Sequence, residues 1–132
     1  MDFVIPCNPK YYDIAGAFKE LKRIEWHQTC KNISVGDTVY IYVAKPIASV
    51  KYKCKVTKSN KKTNDIDDAR FNKREEAKSY DNFMTLKLEK KYKDNLITMK
   101  ELSEYGDINF VLSQRSLPLG LIERIEGNIK TR

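Results

Sequence analysis

Apolar and polar positions alternate most regularly between Val50 and Val56. Val50, Tyr52, Cys54 and Val56 fall on one side and Lys51, Lys53 and Lys55 on the other. This period of two marks a strand with one face in a core and one face wet and positive. Just upstream, Val39-Tyr40-Ile41-Tyr42-Val43 is a β-rich run, opened by the turn Gly36-Asp37 and parted from the first by Lys45-Pro46. Phe3-Val4-Ile5, closed by Pro6, and Met84–Leu88 read as further strands, and Ile108–Leu112 as another. Helical spacing replaces alternation over 13–23, where Ile14, Ala17, Phe18 and Leu21 share a stripe behind an N-cap at Asp13. Ile24-Glu25-Trp26-His27 breaks that period. Thr98-Met99-Lys100-Glu101 has capping-box spacing, Ile97 and Leu102 occupy the staple positions, and Gly106 closes the short helix. Pro118 opens a last helix that Gly127 ends. Residues 57–83 are polar and rich in Lys, Asn and Asp; they read as a long functional loop or a locally disordered stretch, with Arg70–Lys78 as one or two helical turns.

These elements predict an α+β fold: an antiparallel or mixed, barrel-like sheet of about five to six strands with short helices inserted. The length, 132 residues, fits a single domain over 1–132. A membrane span needs about 18 consecutive apolar residues, and no such run occurs. Met1–Pro6 lacks the basic-then-apolar pattern of a leader. Three widely spaced cysteines, Cys7, Cys30 and Cys54, suggest free thiols in a cytoplasmic protein and no disulfide framework.

Charge sharpens the picture. Residues 1–62 carry 12 Lys/Arg against 5 Asp/Glu, whereas residues 63–132 carry 13 of each sign. The whole net charge of +7 therefore sits in the half with Trp26, as a polyanion-binding face would require. Enzymatic motifs are missing. There is no phosphate loop, no nucleophile elbow and no Cys/His grouping with zinc spacing, so no cofactor or metal is expected. Asp65, Asp67 and Asp68 lack the turn glycine and terminal glutamate of a calcium loop. His27 is the single histidine, and no motif supplies it with a nucleophile, so it reads as a surface or pocket-lining residue. What the chain does offer is an upstream amide, Asn8, a lone tryptophan, Trp26, and lysine-bearing strands. These suit a flat base beside its phosphate backbone. The polar neighbours Arg23, Glu25, His27, Gln28 and Thr29 suggest that the Trp26 ring is partly exposed.

Read together, these segments resemble the EVE domain, a member of the PUA-like superfamily that also holds the YTH readers of methylated adenine. The likeness runs through Phe3–Asn8, Ile24-Glu25-Trp26, the Ile33…Gly36-Asp37…Val39…Tyr42 segment, the Pro46 loop, Val50–Val56 and Gln114-Arg115-Ser116-Leu117-Pro118-Leu119. It implies a reader that flips a modified base into an aromatic pocket, in some relatives as the recognition part of a modification-dependent restriction system beside a nuclease. On this resemblance Trp26 stacks on the base and Asn8 and Gln114 bond its edge. His27, Tyr42, Ala44 and Pro46 line the pocket, and Lys45, Lys51, Lys53 and Arg115 meet phosphates. The second cage aromatic of the YTH relatives would fall to Phe71, Tyr80 or Phe83. Trp26→Ala is expected to abolish modified-base preference with the fold intact. The partner is nucleic acid, with modified DNA favoured over RNA. The competing readings are an RNA-binding PUA-like module, an ASCH-type hydrolase using Lys100 and Glu101 on a modified nucleoside, and a protein-interaction module.

Overall fold

The computed structural model describes residues 1–66, 69–73 and 81–130. Six strands and three helices follow one another as β1 (Asp2–Cys7), α1 (Ile14–Glu20), β2 (Arg23–His27), β3 (Thr38–Val43), β4 (Ser49–Lys61), β5 (Phe83–Lys91), α2 (Met99–Gly106), β6 (Arg115–Leu117) and α3 (Leu121–Lys130). The strands form one mixed sheet in the order β2-β5-β4-β3-β1-β6. Only β1 and β3 run parallel, with Cys7 beside Val43; the other pairings are antiparallel. The expected α+β, barrel-like sheet is observed, curled but not closed by main-chain pairing, so β2 and β6 remain its two edges.

Each face has its own core. Inside the curl, Phe3, Ile5, Ile24, Trp26, Ile41, Tyr52, Cys54 and Leu86 pack with Ile14, Ala17 and Phe18 of α1. On the outer face Val4, Tyr40 and Val50 pack with Leu102 of α2 and Leu121, Ile122 and Ile125 of α3. Val50 thus leaves the face of Tyr52, because the β3–β4 register shifts between Ile41 and Tyr42. The lysine face of β4 is consequently not open to water along its whole length. Lys51 pairs with Asp94, and Lys53 reaches Glu123 of α3 at 3.2 Å.

A third pair pins α3 to β5, with Lys90 Nζ 2.6 Å from Glu126 Oε2. Lys90, then Lys130, holds the Glu126 carboxyl below its ordinary 4.5. A depressed carboxyl contributes stability above its unfolded pKa and loses it as pH falls through the folded value. Glu126→Gln should therefore destabilise at neutral pH and flatten the acid limb of the stability profile below pH 4.5. Urea midpoints measured from pH 7 to 3 check this; parallel profiles for parent and variant would refute it.

Several elements differ from the sequence-based expectation. Ile108–Leu112 is not a strand: the Ile108 N–H donates to Leu102 O at 3.1 Å to finish α2, and Ile108 and Val111 turn into the outer core. The free edge of β1 pairs instead with Arg115–Leu117. Asp107, left-handed at φ 54°, caps α2. Gly106 is helical and permits a close approach, since a Cβ there would meet Leu121 Cδ2 at 2.5 Å. The last helix begins three residues after Pro118, beyond Gly120 at φ +75°, and Gly127 lies within it. β4 runs on to Lys61 and β5 starts at Phe83, so the long loop shrinks to 62–82. Within it Ala69–Phe71 make one 3-10 turn; Asp67, Asp68, Tyr80 and the turns expected over 74–78 lie outside the described residues.

Candidate functional site

The two sheet edges meet at a seam held by one side chain. Gln114, immediately before β6, donates from Nε2 to the His27 carbonyl at 2.7 Å. Its Oε1 accepts from the Thr29 and Cys30 amides at 2.8 and 3.1 Å. Both ends of the amide are therefore engaged in bridging β6 to the end of β2. The sequence-based role of Gln114 as a base-edge reader gives way to that of a strut. Gln114→Ala should cost about 1–2 kcal/mol and speed hydrogen exchange at the Thr29 and Cys30 amides. Unchanged protection at those two positions would mean that something else holds the seam.

Trp26 lies just inside it. Contrary to the sequence-based expectation, the ring is buried, 8% exposed, because its polar neighbours Glu25 and Gln28 are buried as well. Tyr12 meets the ring at right angles with centroids 5.0 Å apart, and His27 lies nearly parallel at 5.5 Å. A base stacked flat on this ring would have to displace one of them. The indole Nε1–H is the one buried side-chain polar atom without a hydrogen-bond partner among the described residues. Leaving such a donor unmet costs about 1–3 kcal/mol, so an acceptor brought to it gains more than at a solvated donor.

Asn8 joins this site through the backbone. Its carbonyl accepts from the Tyr11 and Tyr12 amides at 2.9 and 3.2 Å, a turn that swings Tyr12 toward Trp26. Its Oδ1 accepts from the Lys10 amide at 3.0 Å, while Nδ2 makes no hydrogen bond among the described residues. Parallel pairing of β1 with β3 sets the Ala44–Ala48 turn beside Asn8, and the Ala44 N–H donates to Cys7 O at 2.9 Å. That turn carries a cis Lys45–Pro46 bond and shows both residues to solvent. Lys45 has no carboxylate partner among the described residues, and neither has Lys10, whose ammonium sits 5.5 Å from the Tyr11 ring centre. Arg115 is exposed on β6, its Nε donating to Ser116 O at 3.4 Å.

Not all of the expected residues converge. Tyr42 points to the outer face, half-buried against the α2–α3 core, where burial raises its phenol pKa. The sheet separates it from Trp26. Lys51 and Lys53 are committed to Asp94 and Glu123, which removes them from the free cations. Of the alternative cage aromatics, Phe71 is buried in the same core as Trp26, and Phe83 lies half-buried opposite His27.

Two polar clusters behind the site escaped the sequence reading. In the first, Gln28 Nε2 donates to the Cys30 and Ile33 carbonyls at 3.0 Å each, its Oε1 accepts the Asn60 amide at 2.8 Å, and Asn82 Nδ2 donates to Asn60 Oδ1 at 2.8 Å. This network fixes the segment that Gln114 grips. In the second, the fully buried Glu25 carboxylate pairs with Lys61, accepts from Thr85 Oγ1 at 2.8 Å and from the Asp65 amide at 3.3 Å. Glu25 holds the Lys61 ammonium above its ordinary 10.5. The signal available was the cross-strand facing of Glu25 and Thr85, which requires the β2–β5 register. Among the described residues no three His, Cys, Asp or Glu side chains gather as metal ligands.

No protein-family model matches the sequence, and no curated protein matches it. Solved structures do match the fold. The crystal structure of ASCH from Zymomonas mobilis superposes with a TM-score of 0.62 at 13% identity, covering 96% of this chain and 94% of that one. The fold is that of the ASCH structure. An NMR structure from Rhodopseudomonas palustris gives 0.64 at 10% identity over 96% and 93% of the two chains. A crystal structure from Agrobacterium tumefaciens gives 0.59 at 11% identity over 97% and 92%. The ASCH-like fold thus spans nearly the whole chain, while the narrower EVE likeness rests on the sequence order alone.

Proposed function

We propose that this ASCH-like chain is a nucleic-acid-binding module that takes a modified, methylated base into the seam between β2 and β6. The observation that carries the reading is the unmet indole N–H of Trp26 behind that seam. A base edge offers acceptors to such a donor, and Asn8 Nδ2 supplies a second donor, its Oδ1 being held by the Lys10 amide. Tyr12 and His27 are the aromatic walls. His27, Ala44 and Pro46 keep their pocket-lining roles, and Lys45, Arg115 and the newly found Lys10 supply phosphate contacts. Flipping a base costs a few kcal/mol, which stacking at about 1–3 kcal/mol per base and phosphate pairing offset.

The module does no chemistry of its own in this reading. Glu101, the carboxylate of the hydrolase alternative, accepts from the Thr98 amide at 3.0 Å as part of a capping box. Lys61, Glu25 and Thr85 do bring together a lysine, a carboxylate and a hydroxyl, but the raised ammonium pKa keeps that lysine protonated and poorly nucleophilic. A nuclease partner would supply any cleavage.

The test is a panel of labelled strands, unmodified and carrying 5-methylcytosine, 5-hydroxymethylcytosine or N6-methyladenine, as DNA and as RNA, at two salt concentrations. Tighter binding of one modified strand with a change in Trp26 fluorescence is expected. Uniform, salt-sensitive binding with unchanged fluorescence would leave a backbone binder and remove the pocket. Preference for RNA of equal sequence would select the RNA-binding alternative, through the 2′-hydroxyl.

A further inference from the structure

A row of cations crosses the outer face of the sheet. Arg23 of β2 stands directly opposite Lys87 of β5, and Lys87 stands directly opposite Lys55 of β4. Opposed residues on antiparallel strands point to the same face. Their chain neighbours Ile24, Leu86, Cys54 and Val56 point into the inner core, so the three cations share the outer one. Neighbouring strands lie about 4.8 Å apart, so three like charges fall within a span of about 10 Å.

Directly opposed like charges destabilise a sheet, and four other lysines on these strands have carboxylate partners. Lys51 has Asp94, Lys53 has Glu123, Lys61 has Glu25 and Lys90 has Glu126. Arg23, Lys55 and Lys87 have no carboxylate partner among the described residues. Lys55 reaches only the Gly36 carbonyl, at 3.3 Å. The nearby Asp37 carboxylate is engaged by the N-terminal ammonium at 3.0 Å and the Ser34 amide at 2.9 Å. The row is a standing electrostatic cost that an external anion would relieve.

We infer that Arg23, Lys87 and Lys55 form the track for the phosphodiester backbone of the strand whose base enters the seam; this rests on the base-reading proposal above. The geometry links the two. The row ends at Arg23, on the edge strand β2, three residues before Trp26 and about 10 Å from it at 3.3 Å per residue. A backbone crossing β4, β5 and β2 in turn comes over the free edge and delivers a base into the seam behind it. The repeated charge of a polynucleotide matches three evenly spaced cations, whereas a single small anion would meet only one or two.

The experiment compares a triple variant, Arg23→Ser with Lys55→Ser and Lys87→Ser, with a charge-matched control, Lys19→Ser with Lys93→Ser and Arg124→Ser. Binding of single-stranded oligonucleotides is measured from low to moderate salt. Each single-strand phosphate contact contributes about 0.7 to the slope of log K against log salt. The row variant should lose about 2 from that slope, bind roughly 10- to 100-fold more weakly at low salt, and keep the parent's ratio of modified to unmodified binding. The control should lose about 0.7 or less. The row variant should also melt a few degrees higher, because like-charge repulsion is relieved. Equal losses in the two variants would overturn the track and leave the base reader standing. A lost slope in a parent with no base preference would support the track and overturn the reader. A parent that binds no strand at low salt would overturn both.

Discussion

Trp26→Ala should cost the fold about 3–5 kcal/mol, the usual range for emptying a buried tryptophan site. The ring is 8% exposed and sits in the inner core with Met84, Leu86 and Phe71. Alanine is therefore a poor probe of binding, contrary to the sequence-based expectation that the fold would survive it untouched. Trp26→Phe is the informative variant. Phenylalanine keeps most of the apolar contact and deletes the unmet N–H. Relief of that buried donor, about 1–3 kcal/mol, offsets the lost volume, so thermal unfolding should fall within a few degrees of the parent. Affinity for the preferred strand should drop about 5- to 10-fold, the worth of one hydrogen bond at about 1 kcal/mol. A Trp26→Phe protein with parental stability and parental base preference would show that the indole N–H takes no part.

Glu25→Ala should also destabilise, by about 1–3 kcal/mol, because it leaves the buried Thr85 hydroxyl without its acceptor and Lys61 with only the exposed Asp65 carboxylate, at 2.9 Å. The Glu25 side chain is fully buried and its partner Lys61 is only 14% exposed. Replacing both charges, Glu25→Leu with Lys61→Met, should recover much of the loss; urea denaturation of the single and double variants measures this, and a double variant as unstable as the single would contradict it. The pH dependence has a definite sign. The Lys61 pKa is raised from 10.5, so the pair contributes fully at neutral pH and weakens only as the medium passes above 10.5.

The pairing of β3 with β4 was legible because both strands carry their own period and meet across one short turn. The parallel partnership of β1 with β3 was not, since nothing local in Phe3–Cys7 names a partner beyond an intervening helix and strand. The same limit explains the lysine face of β4. Its alternation was plain, yet Lys53 finds Glu123 70 residues away and Lys90 finds Glu126 36 residues away. α3 then converts part of a wet face into an interface. Trp26 stands out in the sequence as a lone indole in a basic half, but its polar neighbours suggest an exposure that the fold does not give it. Glu25 and Gln28 look like solvent residues until Lys61, Thr85, Asn60 and Asn82 arrive from distant strands to satisfy them. Asn8 and Lys45 follow β1 and β3 at one end of the sheet because those strands run parallel, and Arg115 opens β6, whereas the arrangement of Gln114 across the seam depends on how far the sheet curls.

The decisive measurement is the indole Nε1–H resonance of the single tryptophan, followed by proton–nitrogen NMR as the preferred modified strand is added. One tryptophan gives one indole signal, so the assignment needs no variant. If the seam admits a base, that signal shifts strongly and its hydrogen exchange slows as the donor gains an acceptor. A strand that binds, perturbing the amides around Lys45, Arg115 and Lys87, while the indole signal keeps its position and exchange rate, would contradict the base pocket.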